Sequence, residues 1–301
     1  MSPLHPAAAA VVAALAEAGH AEPHRLPLAE ARRLLDDAYA AFPPIPVAAV
    51  STERVEGRNG SPLAARRYVP SRSGGVAGRV VVFAHGGSWV RGSLDSHDRV
   101  CRAVAEASGL PVVAAGYRLA PEHPFPAAVH DVVDVASWAA GRPGVRELVL
   151  CGDSVGAGLA VTAAAALRVA GVAVAHQLLL CPIVSSDLGR WFDPAYDGVL
   201  LSRAELAWAR GLYTGGSGAA GDPADELGPS SPPTTVLAAE CDPVRPQAGL
   251  VHDVLTRAGV DVRLHVAAGM VHGYVGVEDV LLGATPALDL GAARIGAPAP
   301  G

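Results

Sequence analysis

The chain has 301 residues, of which 50% are hydrophobic and 17% charged, and its formal net charge is −6. That balance is too apolar for a disordered chain and suits one large globular domain, or a domain with a small appendage. All 23 cationic side chains are Arg, which excludes a Walker lysine, a pyridoxal-phosphate Schiff base and a Ser–Lys dyad.

Residues 6–41 read as helical, broken at Leu26-Pro27-Leu28 and resuming over 29–41 with apolar side chains at Ala31, Leu34, Leu35 and Ala38. Pro43, Pro44 and Pro46 then stop any helix. Strand-like pieces follow near 47–55 and 63–69. From there the chain alternates. Apolar strands over 79–84, 112–117, 147–151 and 174–183 are separated by helical patterns over 96–108, 127–140 and 154–170. A less regular insert spans about 185–233, with a helix at 203–213 and a Gly/Ser-rich turn at 215–221. A strand at 235–239, a helix at 246–258, a strand at 261–267 and a last helix from about 278 complete the chain. Such alternation predicts an α/β fold with a mostly parallel central sheet covered by helices on both faces. We expect a single domain over 1–301, with residues 1–45 and about 185–233 folding together as a small helical cap over one end of the sheet.

Cys101, Cys151, Cys181 and Cys241 form no CxxC pair and match no zinc or iron–sulfur spacing. They read as buried, reduced thiols of a cytoplasmic protein. The apolar run 7–16 has no Arg before it, so it reads as an amphipathic helix and not as a secretory signal. The apolar stretch 156–175 consists largely of Ala and Gly and is broken by Thr162 and Arg168, a poor membrane span. No Arg run exceeds a pair, which argues against nucleic acid as a partner. Neither a metal cluster nor a nucleotide fingerprint is present, so no cofactor is expected.

In a parallel sheet, ligands sit at the carboxyl ends of the strands. Four strand ends carry chemistry: His85-Gly86-Gly87-Ser88-Trp89, Gly152-Asp153-Ser154-Val155-Gly156, Glu240-Cys241-Asp242, and Gly269-Met270-Val271-His272-Gly273. Gly152-x-Ser154-x-Gly156 between a strand and a helix reads as a nucleophile elbow. A serine hydroxyl needs an adjacent base, and the helix N-terminus favours developing negative charge. Gly86 and Gly87 let the backbone approach a substrate oxygen closely, and each oxyanion donor is worth roughly 10²–10³ in rate. Ser154, Asp242 and His272 follow the order Ser…Asp…His of an α/β-hydrolase triad. His85, His123, His130, His252 and His265 compete for the role of base, but of these candidates His272 alone sits in a loop after the last strand, beside Gly273.

With these motifs the sequence resembles the hormone-sensitive-lipase-like branch of the α/β-hydrolase superfamily, the bacterial family IV esterases. The run Tyr117-Arg118-Leu119-Ala120-Pro121-Glu122-His123-Pro124-Phe125-Pro126-Ala127-Ala128 reproduces a family signature almost throughout. Asp242-Pro243-Val244-Arg245 and His272-Gly273-Tyr274 resemble its acid and histidine motifs, and the leading helices its cap. The resemblance implies a serine carboxylesterase for short- to medium-chain esters. Ser154 would be the nucleophile, Asp242 the acid and His272 the base, with oxyanion donors at Gly86, Gly87 and Val155. Trp89 is the expected substrate contact, and Asp153 is expected to pin the elbow. A homodimer is compatible with the family. The chain departs from the pattern at Ser88, which replaces a third glycine, at Val155-Gly156-Ala157-Gly158 after the nucleophile, and at Pro246-Gln247 after the acid motif. These departures leave open acyl transfer, amide hydrolysis or cyclisation with the same triad. A non-catalytic, ligand-binding relative is a third reading, against which the retained His272 argues.

Overall fold

The computed structural model describes residues 2–17, 22–72, 74–217 and 220–297. The expected domain limits at 1 and 298–301, part of the leading helical stretch at 18–21 and part of the Gly/Ser-rich turn at 218–219 lie outside the described residues. The chain runs α1 (Pro6–Glu17), α2 (Leu28–Ala40), β1 (Ala49–Glu56), β2 (Pro62–Val69), β3 (Arg79–Ala84), α3 (Asp98–Ser108), β4 (Val112–Gly116) and α4 (Ala127–Ala140). It continues with β5 (Glu147–Asp153), α5 (Val155–Val169), β6 (Val174–Leu180), α6 (Arg203–Tyr213), β7 (Thr234–Ala239), α7 (Arg245–Arg257), β8 (Val262–Ala267), α8 (Glu278–Leu282) and α9 (Pro286–Gly296).

The eight strands form one sheet in the order β1-β2-β4-β3-β5-β6-β7-β8. The β1/β2 and β2/β4 pairs are antiparallel and the others parallel. Strand β3 explains why the central strands read as unbroken apolar runs. Its Val81 and Phe83 pack in a layer with Val104 of α3 and Leu288 and Ile295 of α9. Val82 and Ala84 pack on the opposite face with Val132 and Val135 of α4 and Ala160 of α5. Alternating side chains therefore enter two cores. Each fully buried Val or Leu contributes roughly 1.5–3 kcal/mol.

The expected elements are present, with shifted ends. The helix expected from 96 starts at Asp98, because the Ser96 hydroxyl accepts the Ser93 N–H at 2.8 Å in a local turn. The last helix divides at Gly283, where φ is 70°, into α8 and α9. The strand expected over 174–183 ends at Leu180, since Cys181 turns the chain with φ 41°. All four cysteines are buried and unpaired. Among the described residues no helix is long and apolar enough to cross a membrane.

Candidate active site

The carboxyl ends of β3, β5, β7 and β8 converge. At the end of β5 the chain turns through Ser154 (φ 57°, ψ −121°) directly into α5. Two glycines permit that turn by removing side chains, since a Cβ on Gly152 would lie 2.1 Å from Gly156 O and one on Gly156 would lie 2.1 Å from Ala84 O. Neither approach is compatible with a methyl group. The turn is tied down where Ser154 N–H donates to Leu180 O at 2.8 Å and Ile183 N–H donates to Ser154 O at 3.0 Å.

His272 lies in the loop after β8 and bridges two of the other strand ends. Its Nε2 is 2.9 Å from Ser154 Oγ and its Nδ1 is 2.8 Å from Asp242 Oδ2. Asp242 is buried just past β7, and its Oδ1 accepts the Val244 N–H at 2.9 Å. A carboxylate only accepts, so Nδ1–H donates to Asp242, and in the neutral ring Nε2 is left to accept from the serine hydroxyl. Burial alone would lower the His272 pKa. The Asp242 charge and hydrogen bond outweigh it, with smaller help from Asp153 and Glu205, and the pKa rises from 6.5 to about 9. The three residues singled out in the sequence therefore form one hydrogen-bonded chain.

The turn after β3 differs from expectation. Gly86 N–H donates to His97 Nε2 at 3.1 Å, so it is not free to receive a substrate oxygen. Gly86 supplies space instead, because a Cβ there would lie 2.8 Å from Asp153 Oδ2 and 3.2 Å from Ser154 Cβ. Gly87, Ser88 and Trp89 follow with φ of 112°, 57° and 62°. Among the described residues, the N–H groups of Gly87, Ser88 and Val155 have no partner. Ser88, which the sequence reading left out of the donor set, thus has a free backbone amide next to that of Gly87. His97 was also missed. It begins a helix, and only the fold brings it beneath the turn, where Tyr39 stacks on it at 5.4 Å.

Trp89 is also placed differently. It stacks on Tyr213 at 4.7 Å and 11°, and lines a second cavity with Ile183 and Leu206. The cavity that holds Ser154 and His272 has a volume of about 410 Å³, and Trp89 is not part of its wall among the described residues. That wall is apolar where Val12 and Leu15 of α1, Leu34 and Leu35 of α2, and Leu201 ahead of α6 contribute. Its base is polar. There Arg91 Nη2 donates to Glu205 Oε1 of α6, and Ser88 Oγ donates to the same oxygen at 3.3 Å. Asp153, expected to pin the elbow, faces His97 Nε2 at 3.4 Å.

Of the competing histidines, His85 is buried and stacked on Tyr117 at 4.0 Å, and burial, aided by nearby His97, pushes its pKa down to about 3. The ligand atoms of Cys181, Asp242 and His272 lie within 4.8 Å of one another. Burial pushes the Cys181 thiol well up, away from the thiolate that a metal requires.

A family model described as the alpha/beta hydrolase fold matches residues 81–276. The ethyl acetate hydrolase of Pseudomonas putida is 33% identical over 280 residues, covering 86% of each chain. A carboxylesterase of Mycobacterium tuberculosis is 36% identical over 241 residues, covering 72% of each. A hyperthermophilic esterase from the archaeon Pyrobaculum calidifontis superposes with a TM-score of 0.82 at 31% identity, covering 97% of this chain and 98% of the other. With strand order, elbow and relatives in agreement, the chain belongs to the α/β-hydrolase fold family, in its hormone-sensitive-lipase-like branch, and is a carboxylic ester hydrolase.

Proposed function

We propose that this hydrolase cleaves short- to medium-chain carboxylic esters through an acyl-enzyme on Ser154. The observation that carries the reading is the hydrogen-bonded chain Ser154–His272–Asp242, at 2.9 and 2.8 Å. Neutral His272 takes the Ser154 proton as Oγ attacks the ester carbonyl carbon. The carbonyl oxygen becomes an oxyanion, which the free N–H groups of Gly87, Ser88 and Val155 are available to receive. The tetrahedral intermediate collapses, the C–O bond to the alcohol breaks, and His272 returns the proton to the departing oxygen. Water then repeats the sequence on the acyl-enzyme, releasing the acid and restoring the serine. Asp242 holds the imidazole tautomer and stabilises the imidazolium.

The cap assignment is part of this proposal. Leading helices and the 185–233 insert both contribute wall to the Ser154 cavity, which supports their folding as a lid on a single hydrolase domain. A volume of about 410 Å³ suits a short or medium acyl chain better than a long one. The buried, unpaired cysteines support a cytoplasmic site of action.

A pre-steady-state burst with p-nitrophenyl butyrate, and its absence in Ser154→Ala, tests the reading. Loss of the serine should lower kcat by about 10⁶. A folded Ser154→Ala protein that turns the ester over at the parental rate would end it.

A further inference from the structure

The base of the Ser154 cavity contains a buried carboxylate that is only half used. Glu205 is 3% exposed, yet its helix α6 presents it to the same cavity as Ser154 and His272. Its Oε1 accepts from both Arg91 Nη2 and Ser88 Oγ. Its Oε2 has no hydrogen-bond partner among the described residues. Oε2 is not among the side-chain atoms sealed away from solvent, so it opens on the cavity, where a donor carried by a ligand can take the place of water. Ser88 also ties Glu205 to the turn whose amides face the reacting carbonyl. Glu205 therefore stands close to where an ester would bind, in a cavity whose upper wall is hydrocarbon.

We propose that Glu205 is a specificity-determining residue, whose Oε2 accepts a hydrogen bond from a neutral O–H or N–H carried by the ester a few bonds from its carbonyl. Arg91 already balances the Glu205 charge, so a neutral donor gains the hydrogen bond without meeting repulsion. A cationic donor would be opposed by the guanidinium beside it. The substrate class is thus a hydroxylated or amide-bearing ester, not a plain hydrocarbon one. This inference rests on the proposed ester hydrolysis at Ser154.

Isosteric ester pairs test it. Methyl 3-hydroxypropanoate is compared with methyl butanoate, and 2-hydroxyethyl acetate with propyl acetate, each pair exchanging a hydroxyl for a methyl group. The wild-type enzyme should favour the hydroxylated member of at least one pair by about tenfold in kcat/KM, the worth of a hydrogen bond to a charged acceptor. Arg91→Met with Glu205→Leu removes the buried pair together and should abolish or reverse that ratio. Glu205→Gln, which keeps the shape and loses the charge, should reduce it several-fold and serves if the double variant does not fold. Equal kcat/KM within both wild-type pairs, a preference for a 2-aminoethyl ester over its 2-hydroxyethyl counterpart, or a hydroxyl preference that survives in the variants would each overturn the inference. Failure of the folded wild-type enzyme to hydrolyse any member would instead count against the ester-hydrolysis reading itself.

Discussion

His97 accepts the Gly86 N–H through Nε2 at 3.1 Å, so a side chain at the start of α3 fixes the turn that follows β3. Ser96 Oγ lies 2.9 Å from Nδ1 and holds the ring so that Nε2 keeps its lone pair toward Gly86. Because Gly87 and Ser88 come next in the chain, the direction of their free amides depends on this bond.

His97→Phe preserves a ring against Tyr39 and removes the acceptor. The stranded Gly86 amide should cost about 1–3 kcal/mol of stability, measured by denaturant unfolding. The turn should also lose its fixed direction, lowering kcat by about tenfold with little change in KM, since amides aimed at an oxyanion act in the transition state. A fall in stability with an unchanged kcat would separate the two effects and refute the second.

The raised pKa of His272 sets a pH profile. Only the neutral ring can take the Ser154 proton, so kcat/KM should rise with pH along a limb whose apparent pKa lies above 6.5, toward about 9. Asp242→Asn removes the charge that raises it, so the limb should move to lower pH while kcat falls by about 10⁴. A wild-type limb at or below the ordinary histidine value would contradict the geometry. The same shift bears on stability. His272 holds its proton more tightly folded than unfolded, so its stabilising contribution is full below about 6.5 and is lost as pH rises through about 9. The melting-temperature gap between wild type and His272→Ala should narrow across that window.

The elbow glycines cannot be replaced. In Gly156→Ala the new methyl would sit 2.1 Å from Ala84 O, a backbone atom that cannot step aside. A loss of about 3 kcal/mol or more is expected, with little soluble protein. Gly211, at an exposed position of α6, meets nothing within 4 Å, and Gly211→Ala should be neutral or stabilising by about 1 kcal/mol. Comparing the two melting temperatures checks the steric argument.

The Arg91–Glu205 pair is buried, so its halves are not separable. Arg91→Ala leaves the carboxylate uncompensated and should cost about 3–5 kcal/mol in denaturant unfolding. Replacing both partners with Met and Leu should recover most of that loss, because the desolvation cost disappears with the charges. A double variant as unstable as the single one would mean that packing, not charge burial, sets the penalty.

Much of this protein was legible in its sequence. Apolar strands such as 79–84 alternate with helical patterns, and burial on both faces leaves a two-core parallel sheet as the consistent solution. Ser154, Asp242 and His272 could be picked out because strand-end loops carry chemistry and the elbow needs glycine at 152 and 156. The tertiary structure decided what depends on approach between distant segments. Gly86, Gly87 and Ser88 are neighbours in sequence with similar local signals. Which of their amides are free depends on His97, 11 positions beyond Gly86, arriving beneath the first. Trp89 could face either cavity until Tyr213 of α6 stacked on it. Glu205 joins the site only because α6 packs over it and brings the carboxylate to Arg91. Local pattern determines which elements form and where the reactive loops fall. Pairwise tertiary contacts, 11 residues apart for Gly86–His97 and 114 for Arg91–Glu205, determine which donors, acceptors and rings face the substrate, and periodicity carries no record of those.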